Sequence, residues 1–417
     1  MRPTWRNWAG NVTASPSRIL FPDNEDEVSE IVAQAAQRGL HVRAVGAAHS
    51  FSPLCATDGV LLNLDRMTGV VDTDPTRRRF TARAGTLIRA LGAPLWDAGL
   101  CLTNQGDIDA QRIAGAVSTS THGSGMRLQS FSAMARGFRV IGADGQPSAI
   151  TEDEPEQLAA MQTSVGLLGI ITEIEIQATE RFALAERVEY WTMPEVLERW
   201  DEEVAARRHF SFFWMPFRDS HDLIHLECPA GLDMTDRSMV KLYDERPVES
   251  IGPRGERAEP TPHGLNRLDR PYRIYPDPDF TGEVVHRELE YMVPFERGKD
   301  AFLALRAFVC SGQSEHRYPV EVRFIAADEA YLSPFYERDS VSISICGHAT
   351  TDWVGFLAEV ARVLEPFDPR PHWGKVHYLD KEMLAAKYPR QNDFNGIRRK
   401  LDPNGVFMNE SLAAHFD

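Results

Sequence analysis

A two-domain α+β fold is what this sequence predicts, on three observations. Residues 1–178 alternate short strands and helices joined by tight turns. Beyond residue 178 the strands lengthen and become aromatic-rich, with amphipathic helices between them. At 417 residues the chain is long enough for more than one core.

The elements follow in order. Val28, Ile31, Val32, Ala35 and Ala36 fall at helical spacing, with Asn24 as cap, Glu27 three residues on and Gly39 as stop. His41–Val45 reads as a strand, followed by the small-residue loop Gly46-Ala-Ala-His-Ser50. Gly59–Leu64 and Arg79–Ala84 read as further strands, and Thr86 is placed to cap a helix running to about Asp97. Asp144-Gly145, between Phe138–Ile141 and Ser148–Ile150, predicts a hairpin. Gly169–Gln177 ends in the apolar/polar alternation of a half-buried strand. Pro229–Phe280 is rich in Pro, Gly, Arg and Asp, and reads as an irregular excursion over the second domain.

Lys and Arg number 45 against 61 Asp and Glu, a net charge of −16 that argues against nucleic acid or an anionic membrane as partner. The five cysteines are scattered without C-x-x-C spacing, as expected of reduced thiols in a cytoplasmic protein. No run of residues is long and apolar enough to span a bilayer, and Met1–Trp8 lacks the apolar stretch of a secretory leader.

Four clusters carry possible chemistry. In Arg43-Ala-Val-Gly-Ala-Ala-His-Ser50, Gly46, Ala47 and Ala48 let backbone N–H groups approach a pyrophosphate, with His49 at the tip. A plain turn with a solvated histidine is the alternative. Gly115–Gly125 holds three glycines and several hydroxyls, including Ser118 and Thr121 next to His122, and suits a backbone pressed against a polar ligand. Neither loop reads G-x-G-x-x-G, which disfavours a Rossmann site for free NAD. In Pro319–Phe324, strand alternation puts Glu321 and Arg323 on one face, either as a substrate-binding pair or as a surface ion pair. In Arg370–His377, Lys375 among bulky aromatics is placed to bring positive charge into a cleft or to snorkel beside a Trp anchor. His221 and His225 are spaced i,i+4, but no glutamate follows the first, and alternation through Cys228 reads as a strand instead of a metal site. No metal is expected. The absence of G-x-S-x-G weakens any hydrolase reading.

Taken in order, Gly46-Ala-Ala-His-Ser, Thr121-His-Gly-Ser-Gly, Glu321-Val-Arg-Phe, His372-Trp-Gly-Lys and Lys400-Leu-Asp-Pro-Asn-Gly-Val-Phe-Met-Asn409 resemble the vanillyl-alcohol-oxidase-type flavoproteins. Within these the chain is most similar to the aldonolactone oxidoreductases, with the alditol oxidases beside them. The resemblance implies a PCMH-type FAD-binding domain built from 1–178 and 372–417, around an antiparallel-sheet substrate domain at 179–371. It implies FAD joined covalently through His49. Arg43, Gly46, Ala47, Ala48, Ser50, Gly115, Ser118, Thr121, His122, Gly123, Gly125, Gly169, Ile170 and Asn409 would hold the cofactor. Glu321, Arg323 and Lys375 match the catalytic positions, with Asp107, Ser344 and His372 facing substrate. Hydride would pass from a carbinol carbon to the flavin, and the group taking the hydroxyl proton is left open. Ser344 replaces the histidine of alditol oxidases and favours a lactone such as L-gulono-1,4-lactone. Gly106, at the family's oxygen gate, resembles the oxidases, so O2 and hydrogen peroxide are expected. A sugar-alcohol oxidase and a dehydrogenase with another acceptor are the alternatives, and a monomer is the expected state.

Overall fold

The computed structural model describes residues 2–417 apart from 225, 227, 230, 253–256, 262–263, 277–284, 313–316 and 349–351. The first helix spans Glu25–Gln37. Asn24 accepts a hydrogen bond from the Glu27 backbone N–H at 3.0 Å, and Gly39 ends the element at φ +63°. The helix connects Arg18–Leu20 to Val42–Val45, and both strands flank Val60–Asn63 in a three-stranded parallel sheet. An antiparallel sheet follows in the order Pro147–Ile150, Ala135–Ile141, Ile170–Glu180, Arg79–Arg83, Val70–Asp74, with Leu100–Leu102 also on Ile170–Glu180. The first two of these strands form the hairpin expected around Asp144-Gly145.

A single apolar cluster joins these sheets to the end of the chain. It runs from Val28 to Ala178 and takes in Trp373, Leu384, Phe394 and Phe416. A separate cluster from Trp191 to Leu364 fills one side of a nine-stranded antiparallel sheet. Helices Met193–Ala206, Gly298–Cys310 and Trp353–Leu364 cover that side through Trp200, Phe302 and Phe356. Val320, Val322 and Phe324 of strand Val320–Ile325 point into this core, so Glu321 and Arg323 face the other way.

Three expectations are corrected. Thr86 caps no helix: its hydroxyl donates to Arg83 O at 2.6 Å and accepts from Gly69 N, and a 3-10 turn at Ile88–Ala90 precedes a helix at Gly92–Asp97. Pro94 lacks an N–H and fits only the first turn of a helix, so the helix starts late. The 229–280 excursion contains the ten-residue strand Arg237–Arg246 and the hairpin Arg257–Thr261/Gly264–Asp269, all within the large sheet. Residues 238–243 are buried on both faces, which erases the alternation that would have marked the strand. His221 lies in the 3-10 turn Ser220–Ile224, and its partner His225 is outside the described residues.

The two cores are sewn together near the site. Ala326 N donates to Leu128 O, Gln129 Nε2 donates to Ala327 O, and the Ser130 hydroxyl meets Asp328 Oδ2 at 3.2 Å. Burial pushes the Asp328 carboxyl up from 3.8 to about 6, against hydrogen bonds from Ser333 and Ala330 N. A raised carboxyl favours the protonated fold, so its contribution is complete below pH 3.8 and lost as pH rises through 6. The difference is worth about 3 kcal/mol. Thermal melts should therefore fall between about pH 4 and pH 6.5 and level off above, and Asp328→Asn should flatten that decline. Equal slopes in both proteins would remove Asp328 as the cause.

Candidate active site

Two cavities meet at His49. The smaller, about 130 Å³, is lined by Arg43 to Ser50, Gly115, Ser118, Gly166, Gly169 and Ile170. The larger, about 400 Å³, is lined by Gly106, Asp107, Thr121, His122, Glu321, Arg323, Ser344, His372 and Lys375. His49, Ser50, Gln111 and Thr119 border both, so one long ligand can occupy the pair.

Local conformation shapes the narrow part. Ala48 adopts φ +59°, a strained choice for a residue with a Cβ, and turns the loop after Val42–Val45. The expected loop 115–125 begins inside the short helix Ile113–Ser118, where a Cβ on Gly115 would meet open space. Gln111 Oε1 and Thr121 Oγ1 are buried at the cavity walls without a hydrogen-bond partner, ready for a polar ligand.

The wide part is the polar face of three adjacent strands. Glu321 pairs in register with Ser344, and Ser344 with Glu290; Cys346 lies opposite Glu288. Arg323 is the hub. Its guanidinium donates to Asp107 Oδ2 at 2.7 Å and to Glu290 Oε1 at 2.5 Å, and its Nε lies 3.4 Å from Glu321 Oε2. Glu290 also receives the Ser342 hydroxyl at 2.6 Å and faces His122 Nε2 at 3.0 Å. Lys375 donates to Glu288, which also accepts from Ser344 Oγ at 2.5 Å.

Charge follows from this arrangement. Burial, then the neighbouring Asp107 and Glu290, outweigh Arg323 and hold the Glu321 carboxyl well above its ordinary range, which favours its protonated form. Glu290 is held well below that range, because Arg323 and His122 overcome the cost of its burial. Lys375 remains a cation: burial pulls it down, but Glu288 more than restores it. Burial lowers His372 to about 3, and its Nδ1 accepts from Gly374 N at 2.9 Å, leaving a neutral ring. His49 is also lowered, by burial and then by Lys375 and His286.

Four predicted cofactor residues have other work. The Arg43 guanidinium donates to the carbonyls of Leu54, Val165, Gly166 and Phe407, so it braces the loop while also lining the narrow cavity. Asn409 caps Glu410–Phe416 and its amide donates to Pro53, Leu54 and Ala56 carbonyls. Gly123 and Gly125 border neither cavity; a Cβ there would collide with Gln105 O and Arg208 O. His122 joins the wide cavity through Glu290. Sequence reading missed Glu288, Glu290, His286 and Trp8. The E-x-E spacing at 288–290 was the available signal for the first pair, and it reads equally well as a solvated strand face.

A family model described as FAD binding domain matches residues 16–149, and one described as D-arabinono-1,4-lactone oxidase matches 279–415. An L-gulono-1,4-lactone dehydrogenase from Mycobacterium tuberculosis is 34% identical over 98% of both chains. An alditol oxidase from a Streptomyces species is 28% identical over 97% of both. The crystal structure of cholesterol oxidase from B. sterolicum aligns with TM-score 0.80 at 14% identity, over 100% of this chain and 97% of that one, and shows the shared fold. Fold and site thus define an FAD-dependent oxidoreductase. The bent loop at Ala48, the open Gly115 and the unpartnered oxygens of Gln111 and Thr121 fit a dinucleotide reaching past His49. The chain belongs to the family of FAD-dependent aldonolactone oxidases and dehydrogenases. Among the described residues, no helix is long and apolar enough to cross a membrane.

Proposed function

We propose that this enzyme oxidises a secondary alcohol of an aldonolactone such as L-gulono-1,4-lactone and delivers the electrons to O2, yielding H2O2. The observation that carries the reading is Arg323, flanked by Asp107, Glu290 and Glu321 on the wall of the cavity that His49 borders. Residues 1–178 and 372–417 form the FAD-binding unit in this reading, with 179–371 as the substrate domain. Bound FAD supplies a two-electron, hydride-accepting ring that oxygen can reoxidise.

The chain's own residues divide the remaining work. Neutral Glu321, His372 and Ser344 hydrogen-bond sugar oxygens. Arg323 stabilises the charge that develops on the reacting oxygen. Asp107, on the cavity wall beside Arg323, takes the hydroxyl proton in preference to the groups that are already engaged. Lys375 and Arg323 are cations, Glu321 favours its protonated form, His372 Nδ1 is occupied, and Glu290 Oε1 contacts three donor groups. Lys375 balances negative charge on the reduced cofactor. His49 is the covalent attachment point, since a neutral imidazole offers the nitrogen lone pair that bond formation needs. In this reading the working unit is a monomer in the cytoplasm.

Anaerobic mixing with a panel of aldonolactones and alditols, followed by air, tests the reading. Bleaching of the flavin band by lactones with rapid recovery in air is the expected result. Bleaching by alditols alone would assign a sugar-alcohol oxidase, and slow recovery in air a dehydrogenase. Two variants sharpen this. His49→Ala should release FAD on denaturation, and flavin that stays attached would overturn the linkage. At Gly106 an added Cβ would sit 3.4 Å from His122 O and Thr121 Cγ2, an ordinary contact. Gly106→Ala should therefore fold normally, reduce normally and reoxidise in air at least about tenfold more slowly, a barrier change near 1.4 kcal/mol. Unchanged reoxidation would place the oxygen path elsewhere.

A further inference from the structure

Glu288 is a buried anion that no step above uses. Its carboxylate takes the Lys375 ammonium on one oxygen and the Ser344 hydroxyl on the other, and His286 Nε2 lies 3.9 Å away. The backbone adds to this grip: Val376 N donates to Glu288 O at 2.8 Å, and His372 N to Glu290 O at 2.9 Å, so segment 372–376 is zipped along strand His286–Pro294. Lys375 also lies over the Phe51 ring at 5.4 Å, and Phe51 N donates to Gly374 O. Glu288 is thereby connected to the loop that presents His49.

His286, Glu288 and Cys346 bring three possible metal ligands within 4.8 Å. Two positive groups already compete for that carboxylate, however. Lys375 is ion-paired to it, and His286 is held up to about 10 by Cys346 and Glu288 against the effect of burial. The cluster sets two cations against one anion, Glu288, so a metal ion there would meet more positive charge.

We propose that Glu288 is a positioning residue that fixes Lys375 and sets how much positive charge this lysine offers the flavin. The proposal rests on the reading above that Lys375 faces the flavin. Glu288 is buried and Lys375 half-buried, so the ion pair is only partly screened and removing the anion exposes the lysine's field to whatever lies beside it. Glu288→Gln keeps the side chain's size and deletes the charge; its amide oxygen can still accept from Lys375, and its NH2 then donates to Ser344 Oγ, the reverse of the present bond. A more positive surrounding favours the negatively charged reduced cofactor and the negatively charged sulfite complex.

The test uses the holoenzyme and no substrate, so it is independent of whether lactones are the fuel. The flavin midpoint potential is measured by chemical reduction against a reference dye, and sulfite affinity by titration of the flavin band. Glu288→Gln should tighten sulfite binding by about tenfold and raise the two-electron potential by about 30 mV, the equivalent of one decade. Glu288→Asp, which keeps the charge, should stay near wild type in potential even if turnover falls. Lys375→Met should shift both quantities the opposite way, and Lys375→Met/Glu288→Gln should return them toward wild type. That pair of variants decides the matter if Glu288→Gln alone fails to fold. An unchanged or lowered potential in Glu288→Gln, or no recovery in the double variant, would overturn the proposal. A lactone panel without bleaching, alongside the predicted shifts, would overturn only the substrate.

Discussion

Arg323→Met is expected to abolish flavin reduction by substrate and to weaken the fold at the same time. The guanidinium is the common counter-ion of Asp107, Glu290 and Glu321, and all four groups are largely buried. Without it, two ionised carboxylates share a low-dielectric wall with no partner of opposite sign from this residue. Breaking a buried pair in this way costs about 3–5 kcal/mol, which melts should register as a clear loss of stability. The same change removes the donor that stabilises charge on the substrate oxygen, worth about 10²–10³ in rate for a single such donor. Arg323→Lys separates the two effects. It keeps a charge near Glu290 but loses the fork that reaches Asp107 simultaneously, so stability should partly return while flavin reduction stays slow. Rapid lactone-dependent bleaching in Arg323→Met would remove Arg323 from the chemistry.

Asp107→Asn should slow flavin reduction by about 10²–10⁴ while leaving FAD content intact, because an amide matches the carboxylate in size but takes no proton. The contrast with Glu321→Gln is the sharper part of this expectation. Glu321 favours its protonated form, so exchanging it for an amide alters neither charge nor shape and should cost under about tenfold, the weight of one modest hydrogen bond. A large loss in Glu321→Gln with little change in Asp107→Asn would reverse the assignment and make Glu321 the proton carrier. Little change in either would move the acceptor to Asp109, the next carboxylate on the same loop and also on the cavity wall. Rapid mixing under anaerobic conditions measures all three proteins directly.

How much was legible in advance differs by the range of the interaction. The helix Glu25–Gln37, the hairpin at Asp144-Gly145 and the Glu321/Arg323 alternation depend on neighbours within a few residues, and the structure has each of them. The buried strand Arg237–Arg246 was not legible, because a strand covered on both faces carries no period to read. What the Arg43 side chain touches was not legible for a related reason. Its place in the loop was local, but the four carbonyls that occupy it come from residues 54, 165, 166 and 407.

Local sequence was enough for the α+β class, the helix Glu25–Gln37, the hairpin at Asp144-Gly145, the small-residue loop at His49 and the face shared by Glu321 and Arg323. Each follows from propensity, spacing or the two-residue period of a strand, which act locally. What those residues meet is set by long-range packing. Arg323 reaches Glu290 across 33 residues and Asp107 across 216, and Lys375 reaches Glu288 across 87. Strand pairing sets Glu288, Glu290 and Arg323 on one sheet face, loops packed against that face bring Asp107 and Lys375, and burial and neighbouring charge then decide which carboxyl favours its proton and which stays charged. The protonation pattern of the site is therefore a property of the packed sheet, since it depends on how far each charge stands from water and from its opposite.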